Sequence, residues 1–207
     1  MASHAETAVK RAIEALGTRN LDLALQVKTD DNIIDRFEME VDDLAIHLLS
    51  KAPLATDLRF VTVAMKISQN LERIGDEATK IAKRARDLTK EPPLKLDLEL
   101  PRMAALALGM LKAALDAFVN RDSAAARAVI PHDAEVDALN KKINASLTQQ
   151  MMTDREDIPR CLNLMITSRS LERIADHATN VAEEVVYLCE AADIRHTNGI
   201  KSQGNPA

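Results

Sequence analysis

The sequence predicts an all-α protein built from two tandem three-helix bundles related by internal duplication. Three observations predict it. First, the segment LERIGDEATKIA at 71–82 returns as LERIADHATNVA at 171–182. Second, apolar residues recur at spacings of three and four along most of the chain, the period of a helix with one buried face. Third, aromatic residues are 2% of the 207 residues and Gly is rare, while Ala, Leu, Lys, Glu and Arg dominate. Those side chains lose little freedom in a helix, whereas strands favour β-branched and aromatic residues.

The elements follow in order. Val9, Ile13 and Leu16 share a helical face in the first segment, which begins near Glu6. Gly17 and Asn20 punctuate it, the helix-compatible run DLALQV resumes, and the first helix is placed over about 5–27. Asp30 or Asp31 then offers an N-cap for a second helix over 31–51. Ile34, Phe37, Val41, Leu44 and Leu48 form a narrow apolar stripe on it, as in a bundle. Pro53 ends that helix, and a third runs over about 56–90 with Ile67, Leu71, Ile74, Ala78, Ile81, Ala85 and Leu88 on one face. EPPLKLDLELP at 91–101 has three prolines and no helical pattern, and reads as a linker. The plan then repeats. An Ala- and Leu-rich helix from Met103 belongs to 102–128; Val136, Leu139, Ile143 and Leu147 mark 133–152; Pro159 sits in the tolerated first turn of 157–192. The expected division is a first repeat at 1–90, the linker, a second repeat at 102–192, and a flexible Gly/Pro/Ser-rich tail at 193–207.

Composition excludes several functions. A net charge of −5 and the scarcity of aromatics argue against coating nucleic acid. No unbroken run of about 18 apolar residues and no apolar signal core occur, so a cytoplasmic protein that does not insert into a membrane is expected. Cys161 and Cys189 lie among Leu and Met residues and read as buried, reduced thiols.

The chemistry lies in paired acids. Asp31/Asp35, Glu72/Asp76, Asp133/Asp137 and Glu172/Asp176 are each four apart, on one face of a helix. Like charges at that spacing weaken a helix, yet the pattern occurs on the second and third helix of both repeats. Apolar residues precede the acids on the same face, Leu58, Val61 and Met65 in one half and Ile158, Cys161 and Met165 in the other. Carboxylates from neighbouring helices can gather into an oxygen-rich cluster that a cation would stabilise, and oxygen-only ligation favours Mg, Mn or Ca, or Fe where carboxylates bridge. Lys80 can neutralise a carboxylate or pair with Asp76, whereas its counterpart Asn180 can add an oxygen, which makes the second site the better metal binder. His177 points about 100° from Asp176 and reads as surface.

These residues resemble the PhoU family of phosphate-signalling regulators. The resemblance rests on QVKTDDNIID, KAPLATDLRFVTVAMKISQNLERIGDEATKIAKRA, VIPHDAEVDALNKKI, REDIPRCLNLMITSRSLERIADHATNVAEEVVYL and DIRH, which together cover most of the chain. It implies paired three-helix bundles, no enzymatic activity and no organic cofactor. It also implies two metal sites, one of Asp31, Asp35, Glu72 and Asp76 and the other of Asp133, Asp137, Glu172 and Asp176. The implied role is negative regulation of phosphate uptake and of the phosphate-starvation response, as a cytosolic adaptor between the ATP-binding subunit of the phosphate transporter and a sensor histidine kinase, with a homodimer as the working form. Asp57 and Arg59, in the PxxxDLR segment, are candidates for partner binding; Arg59 can orient Asp57, pair at the helix start or anchor a partner's acidic group.

Two other readings compete. A di-metal carboxylate enzyme would want Glu-x-x-His on facing helices, which the acidic motifs lack. A structural or metal-storage bundle would need no signalling partner. Phosphate itself is not expected to bind, for want of a Gly-rich loop or an Arg cluster.

Overall fold

The computed structural model describes residues 1–51 and 54–195; most of the expected tail, and Pro53, lie outside them. The described residues form seven α-helices: α1 (Ala2–Thr18), α2 (Leu21–Leu49), α3 (Ala55–Leu88), α4 (Leu100–Asn120), α5 (Ser123–Val129), α6 (Asp133–Thr153) and α7 (Ile158–Glu190). Among these residues there is no strand, as composition requires.

Both repeats break their first helix at the same place. Arg19 and Arg121 take left-handed backbone conformations, and the next residues, Asn20 and Asp122, cap the following helix through their side chains. The first helix therefore ends at Thr18 rather than near residue 27, and α2 runs unbroken through Asp30 and Asp31. Asn20 supplies the cap, and nothing between Leu21 and Leu49 interrupts the ladder. In the second repeat, Pro131 falls in a short 3-10 turn, so the equivalent of α2 is divided into α5 and α6.

Each repeat has the same arrangement. Met1 Sδ lies 3.3 Å from Ser68 Oγ, and Met103 Sδ lies 3.5 Å from Ser168 Oγ, so α1 runs alongside α3 as α4 runs alongside α7. Ala5, Ala8, Ala12 and Ala15 are fully buried on α1, and such small residues let the helices approach closely. The predicted faces of α3 and α6 are buried, Leu88 only in part.

The two repeats are joined along α3 and α7, which run antiparallel. Lys66 pairs with Glu184 at 3.1 Å, Glu77 with Arg173 at 3.2 Å, and Arg84 with Asn163 at 3.1 Å. A pseudo-twofold axis passes close to Gly75 and Ala175. The linker is no loose tether: Leu94, Leu96 and Leu98 pack on the core. Arg19 donates to the carbonyl oxygens of Leu88 (2.6 Å) and Glu91, and Arg160 to that of Pro92 (3.2 Å), fastening it to both repeats.

The α2 stripe is buried only at one end. The His4 and Phe37 rings meet in a tilted pair at 5.6 Å. Beyond that level α2 turns most of its side chains to solvent, while α3 stays against α7 and α4 through Arg59, Phe60 and Lys66. Leu44 is therefore 61% exposed and Leu48 45%, where the stripe predicted burial. Cys161 is buried as expected, but Cys189 is exposed in the last turn of α7, with its thiol 3.3 Å from the Arg121 carbonyl. Helix α4 is long and apolar enough to cross a membrane by length and composition, although Arg102, Lys112 and Asp116 interrupt it, and its Met103, Ala107, Met110, Leu111 and Ala114 are buried in the bundle.

Candidate functional site

All four acidic pairs lie where two helices of one repeat meet. In the first cluster, Asp31 and Asp35 on α2 approach Glu72 and Asp76 on α3. Gly75 makes the approach possible: a Cβ there would stand 2.9 Å from Asp31 Oδ1 and 3.0 Å from Ile34 Cδ1. Asp31 Oδ1 is buried without a hydrogen-bond partner among the described residues. Burial raises the Asp31 pKa above its ordinary value, Asp35 and Asp76 raise it further, and the neighbouring Thr79 hydroxyl opposes them. Glu72 is likewise raised, by burial, then by Asp76, with Glu38 and Asp35 adding to it and Arg73 opposing.

Glu38 is a member that the pairwise reading missed. Its pKa is raised by burial, then by Asp42 and Asp35, while Arg73 opposes. The signal was present in the sequence, since Glu38 follows Asp31 and Asp35 by helical spacing. In the second repeat Asn140 stands at the equivalent position, buried and bonded to Ser168 Oγ (2.6 Å) and Asn144 Nδ2 (2.7 Å).

The second cluster joins Asp133 and Asp137 on α6 to Glu172 and Asp176 on α7. The Asp176 carboxyl is pushed up to about 6 by burial first, then by the negative charges of Asp133, Glu172 and Asp137. Asp133 is raised by burial and Asp137, and the Thr179 hydroxyl, 3.4 Å away, opposes the shift. Arg169 forms an ion pair with Glu172.

Within each cluster the carboxylates raise one another's pKa values. Among the described residues, however, no group of three His, Cys, Asp or Glu side chains is drawn tightly enough to form a ready metal site.

Three neighbouring assignments change. Lys80 pairs with Glu77 at 2.9 Å, not with Asp76, because Glu77 is 4% exposed and a buried carboxylate demands a partner more strongly. His177 is half-buried between α3 and α7 rather than on the open surface, with Nδ1 2.9 Å from Asn70 Oδ1. Burial and then the nearby Arg73 lower its pKa. The Arg59 guanidinium lies over the Tyr187 ring, 5.8 Å from its centre, while Asp57 is exposed in the first turn of α3. Cation–π stacking on α7 thus replaces the Asp57 pairing considered from sequence.

A family model described as "PhoU domain" matches twice, at residues 1–85 and 100–185. Two relatives are phosphate-specific transport system accessory protein PhoU homologues. The one from Zymomonas mobilis is 41% identical over 88% of this chain and 77% of its own length. The one from Caulobacter vibrioides is 40% identical over 90% and 82%. The crystal structure of PhoU from Pseudomonas aeruginosa superposes with a TM-score of 0.90 at 37% identity, covering 93% of both chains. That of the phosphate transport system regulatory protein PhoU from Streptococcus pneumoniae gives 0.84 at 27% identity, covering 93% of this chain and 91% of the other. With both repeats matched, the fold shared and the acidic motifs set at equivalent helix junctions, the chain belongs to the PhoU family.

Proposed function

We propose that this protein is a non-enzymatic accessory regulator of phosphate transport, acting as a negative regulator of uptake and of the phosphate-starvation response. It works as a cytoplasmic adaptor between the ATP-binding subunit of the phosphate transporter and the sensor histidine kinase, as a homodimer. The observation that carries this reading is the match of both repeats to one family whose relatives bear the name of a transport accessory protein. A pull-down with the ATP-binding subunit and the kinase, each with and without chelator, tests it. Retention of both partners is expected; failure to retain either would refute the adaptor role. Deleting the gene should release phosphate-starvation genes from repression in high phosphate.

Each carboxylate cluster is proposed to hold a hard cation, Mg, Mn, Fe or Ca, with Asp31, Asp35, Glu72 and Asp76 in one site and Asp133, Asp137, Glu172 and Asp176 in the other. The unpartnered, buried Asp31 Oδ1 supports this, because a bound cation would satisfy it and offset the repulsion. When bound, the cation would supply charge neutralisation and tie α2 to α3 and α6 to α7; the residues' own part is to orient oxygens across each junction. The same oxygen also favours a second reading, a structural or metal-storage bundle, which predicts bound metal with no partner retained in the pull-down. The units that carry these sites are proposed as 1–90 and 102–192, with Asp57 and Arg59 on a partner-facing end.

A further inference from the structure

The pseudo-twofold axis between α3 and α7 runs through a polar cavity of about 410 Å³, and the two sides of that cavity are not equivalent. On one side the chain supplies its own anion. Glu77 Oε1 accepts from Lys80 at 2.9 Å and from Arg173 at 3.2 Å. The repeat places a counterpart of each residue on the other side: His177 for Glu77, Asn180 for Lys80 and Arg73 for Arg173. There the carboxylate is missing. Arg73 is exposed and, among the described residues, makes no hydrogen bond or ion pair, although it stands close enough to Glu38 and Glu72 to lower their pKa values.

We propose that the side formed by Arg73, His177 and Asn180 binds a small oxyanion or carboxylate, in the position that the Glu77 carboxylate fills on the mirror side. The Arg73 guanidinium supplies a planar fork suited to two oxygens. Asn180 adds an amide donor whose present bond, to Asn70 Oδ1, is long at 3.4 Å. The His177 ring, tied to Asn70, forms the floor where a carboxylate would otherwise project. Asp76 and Asp176 also line the cavity and oppose an anion; Arg73, Lys80 and Arg173 line it against them, and Glu77 occupies only the last two. The sequence showed no cationic cluster because Arg73 and Arg173 are a hundred residues apart; the antiparallel packing of α3 and α7 brings them to one cavity. The inference stands apart from the adaptor role and would hold if that failed.

The test uses the full chain, freed of metal with chelator so that no cation can capture the anion. Inorganic phosphate and acetate are titrated separately at fixed pH and ionic strength. The ring signals of His177, assigned by their absence in His177→Glu, are followed by NMR. A saturable shift is expected, weakened at least about tenfold in Arg73→Gln, because one charge-assisted contact is lost. Lys112→Gln, which removes a cation elsewhere, should bind as the parent does. His177→Glu restores the mirror carboxylate and should abolish retention of labelled phosphate in equilibrium dialysis while remaining folded. Phosphate alone binding would identify a tetrahedral oxyanion site; acetate binding as well would identify a carboxylate site. The proposal is overturned if neither anion shifts His177 saturably, if Arg73→Gln binds like the parent, or if Lys112→Gln loses as much.

Discussion

Replacing Asp176 with Asn should make the metal-free protein more stable at neutral pH. The wild-type carboxyl is pushed from 3.8 to about 6 by burial and three neighbouring acids. Fully expressed, such a shift corresponds to about 3 kcal/mol of cost in the folded, ionised state. Asp176 is only partly withdrawn from water and keeps an open side to solvent, so screening reduces this to roughly 1 kcal/mol. The sign follows from proton binding. Between about 4 and 6 the folded state holds a proton that the unfolded state has lost, so stability rises as pH falls through that window. Above about 6 both states are ionised and the cost is present in full; below about 4 both are protonated and it vanishes. Urea denaturation in chelator should therefore show the Asn variant more stable by about 1 kcal/mol at pH 7.5 and nearly unchanged at pH 3.5. In a chain of this size that is a melting shift of roughly 2–4 °C. Adding Mn should stabilise the wild type and close or reverse the gap, because the Asn variant has one ligand fewer. Destabilisation of the metal-free variant at pH 7.5, or an equal effect at both pH values, would refute the clustering of these acids.

Other substitutions separate fold from site. Gly75→Ala gains helix propensity worth about 1 kcal/mol while displacing the flexible ends of Asp31 and Ile34, so stability should move by less than about 1 kcal/mol but cation binding at the first cluster should weaken, read by calorimetric titration with Mn. Glu77→Gln leaves Lys80 and Arg173 without their shared carboxylate and should cost about 2 kcal/mol in urea unfolding. Leu44→Glu, on the exposed side of α2, should change stability by no more than about 0.5 kcal/mol; a loss typical of a core position would show that side covered in solution.

Much of this was legible in the chain because local patterns carried it. The stripe from Ile67 to Ala85 and that from Val136 to Leu147 marked buried faces, since a helix repeats its environment every three or four residues. The four acidic pairs announced their helix faces in the same way. What failed depended on where helices end in space. Leu44 and Leu48 obey the stripe, but periodicity says nothing about how far α1 reaches along α2. The linker's prolines predicted irregular backbone correctly, yet Arg19 and Arg160, which fasten it, are distant in sequence. His177 was misread because Asn70 and Arg73 reach it only through the contact of α3 with α7, which no local window contains. Lys80 has its partner Glu77 three residues away on the same helix, and what the sequence hid is that Glu77 is buried against α7, where Arg173 shares it.

The union of the two repeats in one polypeptide has a consequence for how its centre could evolve. In a dimer of separate, identical copies, any residue near the axis appears on both sides and must suit both surroundings. Glu at position 77 would bring a second Glu opposite it, and His would bring a second His. Covalent fusion removes that constraint. It allows a carboxylate on one side and an imidazole on the other, and the intervening chain keeps the halves at high effective concentration whichever substitutions either accepts. The core can stay nearly twofold while the solvent-lined cavity within it becomes directional, with one internally neutralised wall and one open to a ligand.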